Sequence, residues 1–229
     1  MYLKASQQIV TIDGPSGVGK STISRKVASA LSFIYLDTGA MYRAVGLKLK
    51  QAGIDLQDDT AVRNCLASMS LELIPATDES EDVGVVLDGR DVSLEIRSPE
   101  MAMVASAASA LPVVREKLTQ MQQEIGSKGR IVAEGRDTGT IVFPQAAWKF
   151  YLDAAPEVRM QRRAEQLRGQ GKQVNEKELL DMIIKRDYDD QTRSIAPLCK
   201  AEDARVIDTG ALSIEEVAET MLKAIELVK

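Results

Sequence analysis

Residues Gly14, Pro15, Ser16, Gly17, Val18, Gly19, Lys20 and Ser21 reproduce the spacing G-x-x-x-x-G-K-S. Glycines so placed let the main chain curl until successive N–H groups converge on an anion, with the positive end of a following helix behind them. Lys20 adds a mobile cation for the β- and γ-phosphates of a nucleotide, and the Ser21 hydroxyl is the expected ligand of Mg²⁺. With the adjacent Thr22, these residues form the expected ATP site. The glycine order is not that of the dinucleotide pattern G-x-G-x-x-G. An apolar run, IVTID at 9 to 13, precedes the loop and a helical pattern follows it, the context this motif requires.

Bringing two polyanions together calls for cations that offset their repulsion, and arginine supplies charge without losing its proton. Arg159, Arg162 and Arg163 fall at i, i+3 and i+4 of one helical pattern and share a face, followed by a polar loop from Arg168 to Val174 with two glycines. This reads as a helical lid that closes over ATP, with Arg159 and Arg162 on the nucleotide and Arg163 near the chemistry. The alternative is a solvated face paired with Glu157 and Glu165. Arg186, Asp190 and Arg193 lie at i, i+4 and i+7, one stripe that suits a sugar phosphate or, equally, a salt-bridge ladder. Thr38, Tyr42 and Arg43 follow the second expected strand, and Glu134, Arg136 and Asp137 follow the third. Both groups therefore stand at the carboxyl edge of a sheet, where such folds bind ligands. Lys20, Arg136, Arg163 and Arg193 are the expected catalytic cations.

These side chains need a scaffold, and the patterning supplies one. Apolar runs at 9 to 13, 33 to 37, 130 to 133, 148 to 152 and 205 to 208 read as five buried strands. Helical patterns cover 19 to 31, 39 to 52, 58 to 69, 99 to 125, 156 to 169, 175 to 193 and 213 to 227. Pro112 should divide the fourth in two, and Ser213 with Glu216 should open the last as a capping box. Between the second and third strands, SLELI, VGVVLDG and DVSLEI within 70 to 96 read as short strands of an antiparallel insertion. The fold class is α/β, a P-loop three-layer architecture with a five-stranded parallel sheet, a small antiparallel β insertion and a helical lid. One domain is expected, with a core of 1–37, 127–155 and 194–229, a region of 38–126 that carries the insertion and a lid of 156–193.

Composition removes other chemistries. The 229 residues include no histidine, which excludes Ser-His-Asp catalysis and the commonest general base. Cys65 and Cys199 lie far apart and suggest neither a disulfide nor a zinc site. With 29 basic against 34 acidic residues, a net charge of -5 argues against sequence-independent nucleic-acid binding. No apolar run reaches the roughly 18 residues of a membrane span, and Met1 to Gln8 lacks the pattern of a signal segment, so a cytoplasmic protein is expected. Neither the N-K-x-D guanine reader nor the D-x-x-G switch of GTPases occurs. A small-molecule phosphoryl acceptor fits best, and a P-loop protein that senses ATP and docks an acidic partner is the competing class.

GPSGVGKS, LDTGAMYR, DGRDVSLEIRS, EGRDTGTIVFP and RDYDDQTRSIAPL, in this order along nearly the whole chain, together resemble bacterial cytidylate kinases. The resemblance implies transfer of the γ-phosphoryl of ATP to CMP, and to dCMP, with Mg²⁺. It implies that 38–126, with the insertion at 70 to 96, is the monophosphate-binding region, that Arg43, Arg136 and Arg193 hold the acceptor phosphate, that Arg186 and Asp190 contact its ribose, and that Ser106, Arg115 and Asp137 read the cytosine. A carboxylate beside an arginine complements the N4 amino donor and the N3 and O2 acceptors of that base. Several relatives have Asp where Glu134 stands, one methylene shorter. UMP, dTMP or shikimate are the alternative acceptors, and a monomer is the expected state.

Overall fold

A computed structural model describes residues 8–76, 78 and 80–226; the expectations for Met1 to Gln7 and for the last three residues lie outside them. Strands β1 (Ile9–Asp13), β2 (Ile34–Asp37), β6 (Ile131–Gly135), β7 (Trp148–Asp153) and β8 (Arg205–Asp208) form one parallel sheet in the order β2-β6-β1-β7-β8. Strands β3 (Leu71–Ile74), β4 (Gly84–Leu87) and β5 (Arg90–Asp91) form the antiparallel insertion. The expected strand DVSLEI stops at Asp91. Ser93 turns back so that its hydroxyl oxygen accepts from the Val85 amide at 2.8 Å, and Glu95–Arg97 close a single 3₁₀ turn instead. The alternation of that segment is real, but its polar side chains satisfy a turn rather than a ladder.

Helices cover both faces of the sheet because its strands are apolar on both sides, as in β1, where all five residues are buried. Helices α1 (Lys20–Leu31) and α8 (Ile214–Glu226) enclose one core built on Val10, Ile12, Val132, Phe150 and Leu152. The other core lies against Leu36, Ile131 and Ala133. Helices α2 (Thr38–Gln51), α3 (Asp59–Ala67), α4 (Pro99–Ser109) and α5 (Pro112–Gly126) and the insertion build it. The break between α4 and α5 falls at Pro112, which takes the first helical position after an extended Leu111. Ser213 and Glu216 exchange hydrogen bonds of 3.2 and 2.8 Å in the expected capping box of α8. Helices α6 (Pro156–Gly169) and α7 (Glu176–Thr192) pack on each other through a small cluster of their own, Met160, Ala164 and Leu179.

The turns after β1 and β6 meet at the carboxyl edge of the sheet. Gly14 follows β1 with φ 149°, and a Cβ there would lie 2.1 Å from the Leu152 carbonyl oxygen, so no other residue passes β7 at this point. After β6 the chain makes a π-helical turn, Thr138–Val142, which the sequence pattern did not announce.

Candidate active site

The loop between β1 and α1 turns through Gly17 and Gly19, both at positive φ, and no side chain caps the first turn of α1. The amides of that turn are therefore available to an anion. Lys20 is buried at 8% exposure and donates to the carbonyls of Gly14 at 2.8 Å and Pro15 at 2.6 Å. Burial holds its ammonium well below the usual lysine range. Arg136 and Arg186 lower it further, while Glu134 and Asp13 oppose them.

Beside the loop, Glu134 Oε1 accepts from the Ser21 hydroxyl at 2.7 Å and from the Tyr35 phenol at 2.5 Å. Its Oε2 is buried and receives no hydrogen bond. Burial, and then the charge of Asp37, raise the Glu134 carboxyl above its ordinary range against the pull of Lys20. Burial raises the Tyr35 phenol well above its own range, so it remains a neutral donor. Asp37 caps α2 by accepting from the Ala40 amide at 2.8 Å and also pairs with Arg43 at 3.1 Å. Thr38, expected to face a substrate, gives its hydroxyl to the Glu134 carbonyl at 2.6 Å and so ties α2 to β6.

Asp13, which sequence reasoning passed over, anchors the turn that carries Arg136 and Asp137. It accepts from the Thr138 amide at 2.9 Å, the Thr138 hydroxyl at 2.8 Å and the Gly139 amide at 2.8 Å. Burial still pushes its carboxyl up, outweighing those bonds. Arg136 leaves this turn and reaches Asp190 of α7 at 2.9 Å. Burial disfavours the Asp190 carboxylate, but Arg136, Arg186 and Arg193 together bring it below its usual range.

The remaining cations converge on the same space. Arg186 donates to Ser16 Oγ at 3.3 Å, and its Nε, like that of Arg43, is buried without a hydrogen bond. Burial, then Arg136 and Arg43, push Arg186 down to about 10, far enough above neutrality that it keeps its charge while being repelled by its neighbours. Arg193 donates to the Ala196 carbonyl at 2.6 Å and lies 3.7 Å from Asp137. Asp137 is also paired with Arg115, which donates to the Ser109 carbonyl at 3.1 Å and lies over the Tyr42 ring, 5.5 Å from its centre. Burial pushes the Tyr42 hydroxyl up to about 12. Ser106 is half-buried on α4, and its carbonyl accepts from Ser109 at 2.8 Å. Ser109, one turn later, is the missed member of this group, since its hydroxyl also lies 3.4 Å from Arg193. Its spacing of three from Ser106 was the signal available.

The three arginines of α6 part company. Arg159 is 3% exposed and joins the Ala154 carbonyl, the Ser16 carbonyl and both oxygens of Asp187 on α7. Arg162 donates to the hydroxyl and carbonyl of Thr209, at 3.2 and 2.5 Å. Among the described residues Arg163, half-buried, reaches only Gln166 of its own helix, at 2.5 Å. The shared face thus resolves into one residue that locks α6, α7 and the phosphate loop together, one at the loop after β8, and one turned back on its own helix. Asp187 and Thr209, both buried, were not anticipated.

Among the described residues no group of three or more Asp, Glu or Cys side chains is arranged to hold a metal. The donors that suit a hard cation here are the Ser21 hydroxyl and the bare Glu134 Oε2, with a bound nucleotide's phosphates and water completing its shell. The crevice as a whole can hold two anions nose to nose: one on the loop and α1, the other among Arg43, Arg136, Arg186 and Arg193.

Residues 10–227 match the family model described as cytidylate kinase. The "Cytidylate kinase" of Carboxydothermus hydrogenoformans is 44% identical over 216 residues, covering 94% of this chain and 96% of that protein. The "Bifunctional pantoate ligase/cytidylate kinase" of Synechococcus elongatus is 46% identical over 225 residues, 97% of this chain. The chain spans only 43% of the length of that bifunctional relative. An uncharacterized protein from Eubacterium ventriosum, solved by crystallography, shares the fold with a TM-score of 0.51 at 13% identity, over 96% of this chain and 98% of its own.

Proposed function

The chain belongs to the cytidylate kinase family, and from that premise we propose that it transfers the γ-phosphoryl of ATP to CMP, and to dCMP, yielding ADP and CDP or dCDP. The observation that carries this reading is the pairing of a buried Asp137 with Arg115 and Arg193 in the crevice whose opposite wall is the Lys20 loop. That pairing offers a carboxylate to the cytosine amino group and guanidinium donors to its acceptors.

ATP takes the loop, where its phosphates replace the Gly14 and Pro15 carbonyls as partners of Lys20. That exchange sets anionic oxygens against a buried ammonium and so offsets the cost of its burial. The acceptor phosphate settles among Arg43, Arg136 and Arg186. The resemblance gave Arg193 to the phosphate and Arg186 to the ribose, but their neighbours favour the reverse. Arg186 touches Ser16 of the loop, whereas Arg193 adjoins Asp137, Asp190 and Ser109. An oxygen of the CMP phosphate attacks the γ-phosphorus, the bond between that phosphorus and the β,γ-bridging oxygen breaks, and ADP leaves. No general base is needed, because the attacking oxygen is already ionised near neutrality. Arg186 and Arg136 already crowd together and gain most where negative charge gathers between donor and acceptor.

Mg²⁺ would be held by Ser21, with Glu134 beside it, and would supply neutralisation of phosphate charge. Helices α6 and α7 act as the lid, with Arg162 near the nucleotide and Arg163 turning inward on closure. The cytoplasm, where small soluble nucleotides are made and used, is the compartment that suits this reading. One chain carries every group named, so a monomer suffices.

An ADP-release assay with purified protein, ATP and Mg²⁺ tests the reading across CMP, dCMP, UMP, dTMP and shikimate. CMP should turn over fastest. A protein that leaves CMP untouched, or prefers UMP, does not have this function.

A further inference from the structure

Tyr35 lies inside β2 and carries no part of any motif, yet it is bonded to the carboxylate nearest the phosphate loop. Tyr35 pairs with Val132 and Asp37 with Glu134 across the parallel ladder of β2 and β6. Tyr35 and Glu134 therefore share a face of the sheet and sit one diagonal step apart. Across that step the phenol donates to Glu134 Oε1, and from the start of α1 the Ser21 hydroxyl donates to the same oxygen. Oε2, buried, receives nothing from the protein. A carboxylate with one doubly bonded oxygen and one bare oxygen leaves an acceptor unsatisfied, a cost that folded proteins avoid unless something else binds there.

A serine hydroxyl that coordinates a cation keeps its proton, and that proton needs an acceptor on the far side. Glu134 Oε1 is placed to be it, and the phenol is a second donor that fixes this oxygen whether or not Ser21 turns. We propose that Tyr35 is a positioning residue for the divalent cation: it pins Glu134 so that Oε1 steadies the Ser21 hydroxyl while Oε2 remains for the water shell of the metal. This rests on the kinase reading above. It also gives a use to the length of Glu134, since an aspartate on β6 has one methylene less with which to reach the phenol of β2.

Tyr35→Phe removes the hydroxyl and keeps the ring. Mn²⁺ binding to protein saturated with a non-hydrolysable ATP analogue, followed by the EPR signal of free Mn²⁺, should weaken about tenfold in this variant, while affinity for the metal-free analogue stays within about twofold. In a Glu134→Asp background, the same substitution should add no further loss, because the pair it disrupts is already broken. Unchanged Mn²⁺ affinity in Tyr35→Phe overturns the proposal, as does an equal loss in the Glu134→Asp background. A parallel fall in metal-free affinity also overturns it, since the phenol would then only brace the strand edge. Wild-type protein that fails to phosphorylate CMP but shows the Mn²⁺ effect defeats the kinase reading and leaves this assignment standing.

Discussion

Lys20 is bonded to two carbonyls of its own loop, deeply buried and flanked by arginines. Lys20→Ala should lower kcat by roughly 10²- to 10³-fold, with the KM for CMP changed far less, because the lost donor acts where phosphoryl charge gathers. Steady-state kinetics at saturating ATP decide this. The depressed pKa also has a sign. Below its folded value Lys20 is charged in both states and the native protein bears the full cost. As pH rises from that value toward the unfolded 10.5, the native lysine sheds its proton and the cost disappears. The thermal midpoint of nucleotide-free wild type, measured against Lys20→Met at each pH, should therefore climb from neutral into alkaline solution. A constant difference would show that Lys20 is not strained. Asp137→Asn should shift the preference for CMP over UMP by about 10- to 100-fold in kcat/KM, the scale of one good base contact. It should also lower turnover, because Arg115 loses its buried partner.

Short elements at the sheet edge set where these residues stand. Gly14→Ala would drive a methyl group into the Leu152 carbonyl and hold a left-handed φ that only glycine accepts easily. It is expected to abolish ATP binding in calorimetry and to lower the thermal midpoint, whereas Gly53→Ala, with nothing near its Cβ, should leave ATP binding intact. The strands and helices themselves were legible because burial on both faces of the sheet writes long apolar runs, and Pro112 and Ser213 mark helix starts in one letter each. DVSLEI misled because its alternation is shared by strands and by turns whose polar side chains bond back to the main chain, as Ser93 does to Val85. The π-helical turn at Thr138–Val142 left no local mark, since it is imposed by Asp13, 125 residues away in sequence.

Across the whole molecule, α6 and α7 hold each other through Met160, Ala164, Leu179 and the Arg159–Asp187 pair, with Val158 packing α6 on a large core. The last turn of α6 and the loop after it hold Arg168 and Lys172, both exposed. Trypsin should cut there in the free protein, and ATP with CMP should slow that cleavage more than either alone; equal protection by ATP alone would mean that the acceptor has no part in closing the lid. The amino-acid sequence alone revealed the fold class and nominated the phosphate-loop residues and the candidate cations, because each is written in contiguous residues or in a fixed helical period. Tertiary structure decided their division of labour. Arg159, Arg162 and Arg163 are equivalent on a helix face, and only the surrounding elements send one to Asp187, one to Thr209 and leave one with Gln166 of its own helix. It alone supplied Asp13, Asp187 and Tyr35, whose partners are remote in the chain. A hydrogen bond depends on distance in space, and the chain's own periodicity carries no trace of a partner brought in by the fold.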